Sequence, residues 1–199
     1  MNTQAIPTVF IAYPKAFSSR EKFERKLSHT LSNLSRFHIK YLSDENDFIQ
    51  SHILSDKRVC DSINSSCDNL DLSDVSHLVV FNDGESFNEL ISKAKKKEIK
   101  SKIFNARLTK VVNLEKGYKY DVYIGRGTTW GNPHAIGVDG DDRDEVIRKF
   151  QYDFDRGLLR FSKKDTLVLK GKTLGCHCKP APCHGDVIAE YLNSLDDGR

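Results

Sequence analysis

A chain of 199 residues suffices for one large or two small domains. Hydrophobic residues make up 38% and charged residues 30%, enough apolar mass for a core and too much for a disordered chain. The net charge of +3 is spread evenly: residues 1–105 hold 15 basic and 14 acidic side chains and the remainder 16 and 14, which speaks against a nucleic-acid module in either half.

No apolar run approaches the roughly 20 residues that cross a bilayer, and residues 1–7 lack the basic and long apolar segments of a signal peptide. The expectation is a cytoplasmic chain with no membrane partner. The cysteine count of five is odd, and the chain lacks the loop-rich character of a disulfide scaffold. Cys60 and Cys67 stand apart from the other three and read as ordinary reduced thiols, with a share in a metal site as the alternative.

In chain order, Thr8 to Tyr13 is apolar, β-branched and closed by Pro14, the pattern of a buried strand. Ser18 or Ser19 is placed to cap a helix with Glu21 and Glu24 in its first turn, and Phe23, Leu27, Leu31 and Leu34 share one face of it. Phe37 to Leu42 predicts a second strand. The polar stretch from Ser43 to Ser73 predicts only a helix around Asp47 to Ser55. His77 to Phe81 predicts a buried strand running into the turn signal Asn82-Asp83-Gly84, then a helix from Ser86 to Lys97 and a short strand from Lys100 to Phe104. Six lysines between Lys93 and Lys102 form either a solvated face or an anionic-ligand patch. The alternation of strands and helices is that of an open parallel α/β sheet.

On Val79 to Glu85, the helix after it and the Lys102–Phe104 strand, this half resembles the Rossmann-like nucleotide-binding superfamily of DNA-processing protein A and the lysine-decarboxylase-like cytokinin-activating enzymes. The Phe10–Tyr13 strand is also similar to that of nucleoside deoxyribosyltransferases. The resemblance implies a nucleotide or nucleoside held at the carboxyl ends of the strands, with Asp83 and Glu85 as ligand-binding residues. Residues 14–20 contain no glycine where the first group has its phosphate loop, so ligand binding and a plain scaffold role both stay open.

A second unit begins near Arg107. Leu108 to Leu114 alternates, Asp121 to Ile124 predicts a strand, and Gly125 to Pro133 is a glycine-rich loop. Asp144 to Leu159 predicts an amphipathic helix burying Val146, Ile147, Phe150, Phe154 and Leu158. A strand is expected at Leu167–Leu169 and a last helix from Asp186 to Leu195, with Val187, Ile188, Tyr191 and Leu192 inward. The predicted class is α/β, with a Rossmann-like domain over 1–105 and a smaller α/β domain over 106–199. Without a Gly/Ser/Pro-rich linker, one continuous body remains open as well.

On Tyr123 to Pro133 and Leu169 to Asp186, this second unit resembles the family of domain of unknown function 4326, over about residues 107–195. That family occurs widely in phages and bacteria, which implies a phage-encoded protein in the host cytoplasm. It commonly carries an aromatic residue where this chain has His177, so His177 is given no essential role.

In the loop, Gly125, Gly127 and Gly131 permit tight turns or close approach of a ligand. Arg126 suits phosphate or carboxylate, Trp130 a stacked base, and Asn132 a polar edge, a set that fits a nucleotide-like small molecule. The structural alternative packs Trp130 in the core and pairs Arg126 with a local acid. The absence of a Gly-Lys-Ser/Thr ending excludes a P-loop.

The stretch from Cys176 to Asp186 admits three readings. Cys176, Cys178, Cys183 and His184 form a Cys3His set for zinc or iron. Alternatively, Cys183 before the last helix is a low-pKa nucleophile, with His184 or Asp186 moving protons. In the third reading the cysteines are small buried hydrophobes.

Two functions follow from these readings. One is a nucleoside, nucleotide or modified-base processing enzyme acting at a glycosidic bond, with Cys183, His184 and Asp186 catalytic. The other is a non-catalytic phage protein that sequesters a nucleotide signal or binds a host protein.

Overall fold

The computed structural model describes residues 5–64 and 71–198; Cys67 lies outside the described residues. The chain divides into two compact units, Met1–Ala106 with Asp196–Arg199, and Arg107–Leu195. Each has its own parallel sheet, five strands in the first and three in the second.

In the first unit the elements run β1 (Thr8–Ala12), α1 (Arg20–Thr30), β2 (Phe37–Tyr41), α2 (Phe48–Ser55), β3 (Val59–Asn64), β4 (His77–Asn82), α3 (Asn88–Lys96) and β5 (Lys100–Asn105). All five strands are parallel in the order β3-β2-β1-β4-β5. The chain winds outward in one direction through β3 and then crosses back beyond β1, so strand order reverses between β1 and β4, the Rossmann-like arrangement. Two inner strands are continuously apolar because both of their faces are covered: Val9, Phe10 and Ile11 of β1 and Leu78 to Phe81 of β4 are essentially inaccessible. Helix α1 buries Phe23 and Leu27, and Leu31 just beyond it is also buried, each side chain contributing about 1.5–3 kcal/mol of transfer free energy. Leu34 is only half-buried. Ser19 occupies the N-cap position, but its buried hydroxyl makes no cap bond.

The edge strands differ. β3 was not anticipated, and its Val59-Cys-Asp-Ser-Ile-Asn64 sequence is largely exposed. An edge strand of this kind needs only backbone bonds to β2 and leaves no apolar pattern to read. β5 is likewise mostly exposed. The lysines from Lys93 to Lys102 are all exposed, with Lys93 paired to Glu89 one turn away, so the solvated-face reading describes them.

The second unit comprises β6 (Lys110–Asn113), β7 (Val122–Tyr123), α4 (Arg143–Arg156), β8 (Thr173–Cys176) and α5 (His184–Ser194), with parallel strands in the order β6-β8-β7. Its core gathers Ile124, Phe150, Phe154, Phe161, Leu174, Ile188 and Leu192. Two sequence expectations are corrected. Leu167–Leu169 is not a strand but part of a 3-10 turn over Asp165–Leu169, in which Leu167 and Val168 face solvent while Thr166 and Leu169 are buried. The strand lies after the Gly171 turn, at Thr173–Cys176, where it is the central one. Leu158 is 64% exposed because α4 ends at Arg156 and Gly157, at φ +69°, turns the chain away. No helix among the described residues is long and apolar enough to cross a membrane.

Candidate functional site

Strands β7 and β8 are parallel neighbours, so their carboxyl ends, Tyr123 and Cys176, open on one edge of the second sheet. Ligands of open parallel sheets sit outside that edge. Here a cavity of about 210 Å³ is lined by Tyr123 of β7, by Gly125, Arg126, Asn132, His134 and Ile136 after it, by Arg143, Val146 and Ile147 of α4, and by Cys176 to Cys178 and Pro182 to His184.

The Gly125–Pro133 loop is held by its own turns, with Thr128 N–H donating to Gly125 O and Gly131 N–H to Thr128 O, each at 3.2 Å. Gly127 adopts φ +90°, and a Cβ on Gly131 would stand 2.7 Å from the Gly125 carbonyl oxygen. The glycines thus serve the loop's own close folding. Asn132 lines the cavity, yet both ends of its amide are engaged: Nδ2 donates to Val146 O at 3.0 Å and Oδ1 accepts from His134 N–H at 2.9 Å. Trp130 does not line the cavity; it is half-buried, edge-on to Phe161 at 5.0 Å. Arg126 is exposed on the cavity wall and has no hydrogen bond or ion pair among the described residues.

The cysteine stretch is built on the end of β8 and the start of α5. The sulfurs of Cys176, Cys178 and Cys183 all lie within 4.8 Å of one another, with Cys176 and Cys178 at 3.6 Å. The His184 ring is not part of that set. Its Nε2 is 3.0 Å from Ile124 O, and its Nδ1 is 3.7 Å from Cys183 Sγ. Nε2–H therefore donates to the carbonyl and leaves Nδ1 as the acceptor; burial pushes the imidazole pKa down, favouring this neutral ring.

Cys183 is the N-cap of α5, and its sulfur accepts from Gly185 N–H at 3.4 Å. Asp186 completes the capping box: its Oδ2 accepts from Cys183 N–H at 3.0 Å, and its Oδ1 pairs with Lys179 Nζ at 2.6 Å. The Gly185 amide at the helix start acts to lower the Cys183 pKa, but larger opposing effects outweigh it. The neighbouring Cys176 sulfur, together with burial, pushes the Cys183 pKa up. Thiolate character falls on Cys176, which the neighbouring Cys183 thiol holds down at about 5.

Several residues of this site carried no sequence signal. His134 lines the cavity, and its Nε2 is 2.8 Å from Asp153 Oδ2 on α4, a pairing across 19 positions that only the fold creates. Arg143 reaches Pro182 O at 3.4 Å. Asn113, buried at the end of β6, donates through Nδ2 to His177 O at 3.1 Å and to Lys179 O, clasping the backbone on both sides of Cys178.

The first unit has its own strand-end region. Beyond β1, where a phosphate loop would run, Phe17 turns inward and stacks on Phe81 of β4 at 4.8 Å. Tyr13 O–H donates to Asp44 Oδ1 at 2.5 Å. Asp83 accepts from Glu85 N–H and Ser86 N–H and so fixes the turn before α3, while Glu85 is exposed. Cys60 is a free, half-buried thiol of this unit, 3.2 Å from Arg36 Nε.

Known families fall onto the same two units. The minimal SLOG domain model matches residues 6–112, more than half of the chain. The chain belongs to the minimal SLOG domain family. The second half of this SLOG-domain protein, residues 109–194, matches the family of domain of unknown function 4326. An uncharacterized 12.4 kDa protein from the nrdA-td intergenic region of Enterobacteria phage T4 is 45% identical over 91 residues, which is 45% of this chain and 82% of the phage protein. No solved structure matches the chain. The SLOG domain suggests a nucleotide-related function, in keeping with the Rossmann-like sheet.

Proposed function

We propose that this protein is a nucleoside- or nucleotide-processing enzyme whose small-molecule ligand occupies the cavity of the second unit. The observation that carries the reading is Arg126, a permanent cation on the cavity wall without a partner among the described residues. A guanidinium left unpaired beside a strand-end cavity suits an anionic group such as phosphate. The cavity's volume of about 210 Å³ falls below the about 300–1,000 Å³ that encloses a drug-sized ligand. A base or sugar enters it, and the phosphate stays at the rim with Arg126. The SLOG domain of the first half supports the nucleotide class.

The reaction in this reading is at the glycosidic bond. The bond from sugar to base breaks, water supplies the new oxygen bond, and the departing base takes up a proton. His134 is oriented through Nε2 by the Asp153 carboxylate, which makes Nδ1 the ring's acceptor and His134 the group suited to moving that proton.

A second reading has one specific observation in its favour. Cys183, His184 and Asp186 all have side chains engaged in the helix start or its carbonyl anchor, as befits a protein that binds a nucleotide signal or a host protein without turnover. Chromatography of a nucleoside and nucleotide panel after incubation with the protein separates the two. Release of free base, abolished in His134→Ala and requiring more substrate in Arg126→Ala, supports the enzyme. Tight binding without release supports sequestration, and the absence of both removes the ligand from this cavity.

A further inference from the structure

We propose that Cys176, Cys178 and Cys183 bind a single zinc ion through three thiolates, with its fourth coordination position open to the cavity. A tetrahedral zinc with bonds of about 2.3 Å to sulfur has sulfur–sulfur edges of about 3.8 Å. Cys176 and Cys178 stand at 3.6 Å, and all three sulfurs lie within 4.8 Å of one another, so shifts of at most about 1 Å bring the set to the edges of about 3.8 Å that an ion needs. The tight C-x-C spacing is no obstacle, because Cys176 ends β8 and Cys178 lies in the bend after it.

The surroundings fix this geometry. Asn113 clasps the carbonyls of His177 and Lys179, the Lys179–Asp186 ion pair ties the loop to α5, and the capping box fixes the Cys183 backbone. The Gly185 N–H on Cys183 Sγ at 3.4 Å is the kind of outer-shell donor that supports a metal-bound thiolate. A soft sulfur set with tetrahedral edges selects zinc over harder divalent ions.

The open position follows from two facts. Cys176, Cys178 and Cys183 all line the cavity. His184, the natural fourth ligand by sequence, has no ring nitrogen within 4.8 Å of all three sulfurs. Three protein ligands and an accessible fourth corner are the pattern of a zinc that binds water or a ligand atom rather than a closed structural knuckle.

The test uses the full chain, purified under reducing conditions without a metal-affinity column. Elemental analysis is expected to give a single zinc per chain, displaced stoichiometrically by a chromogenic chelator. Cys178→Ser, chosen because this cysteine is only half-buried, is expected to lose the metal with its circular dichroism unchanged, while Cys60→Ser in the first unit keeps it. In the cobalt-substituted wild-type protein, imidazole is expected to shift the visible absorption by entering the fourth position. Absence of metal from the wild-type protein even after incubation with zinc, iron in its place, or full zinc retention in Cys178→Ser overturns the assignment. An imidazole-insensitive cobalt spectrum overturns the open position. None of these readouts involves a nucleotide, so they stand or fall apart from the proposed ligand.

Discussion

The side-chain amide of Asn113 donates to the carbonyl oxygen of His177 at 3.1 Å, so the end of β6 holds the backbone between the first two cysteines. The same nitrogen also reaches the Lys179 carbonyl, and the Asn113 oxygen accepts from Glu115 N–H at 2.7 Å. One buried side chain therefore satisfies backbone groups on both sides of it. Asn113→Ala leaves those carbonyls without a partner and is expected to cost about 1–3 kcal/mol in denaturant unfolding. It is also expected to weaken zinc binding by about 10–100-fold in chelator competition, the scale of outer-shell losses.

Gly131 is a second position where geometry sets the outcome. A Cβ there meets the backbone oxygen of Gly125, which cannot swing aside as a side-chain tip would. Gly131→Ala is expected to force the loop open at a cost of about 1–3 kcal/mol. The amide signals of Thr128 and His134 would report it by shifting, with those of α5 unchanged.

Arg126→Ala removes a charge that supports nothing in the fold, since Arg126 has no partner among the described residues. Thermal unfolding is expected to be unchanged while nucleotide affinity falls by about 10–100-fold, the loss of a charge-assisted contact. Arg126→Lys is expected to recover only part, because an ammonium lacks the planar fork.

How much of this was legible depends on what each segment buries. β1 and β4 announce themselves because central parallel strands covered on both faces are continuously apolar, and β2 through the alternation of Phe37, Ile39 and Tyr41 with His38 and Lys40. β3 does not, since Asp61, Ser62 and Asn64 meet solvent. Leu167 to Leu169 has the apolar look of a strand but lies in a turn, whereas Thr173-Leu-Gly-Cys176 is central with only one large apolar residue. Gly175 there is dictated by crowding: a Cβ would collide with Leu114 and Tyr120. Residues of the cysteine and glycine motifs line the cavity. The His134–Asp153 pair and the Asn113 clasp did not show, because nothing local links residues 19 and 64 positions apart.

The first unit gives a pH prediction. Arg58 holds Asp56 through Nη2–Oδ2 at 2.6 Å and also donates to Leu31 O and Leu34 O, closing the end of α1. The hydrogen bond from Arg58, against partial burial, keeps the Asp56 carboxyl below the ordinary carboxylate value of about 3.9. A depressed folded-state pKa contributes stability that is complete above the unfolded value and lost as pH falls through the folded one. Asp56→Asn is therefore expected to lower stability by about 1–2 kcal/mol at neutral pH, an amount that shrinks below about pH 4. Urea unfolding at neutral and acid pH, followed by near-ultraviolet circular dichroism, measures it.

The central claim is that the second-unit cavity takes a nucleoside or nucleotide at Arg126. Isothermal titration calorimetry of the full chain against mononucleotides and their nucleosides, repeated with Arg126→Ala, tests it most directly. Saturable binding of a nucleotide, weaker for its nucleoside and equally weakened in Arg126→Ala, is the result this account predicts. Binding that ignores both the phosphate and Arg126, or no binding by any member of the panel, would contradict it.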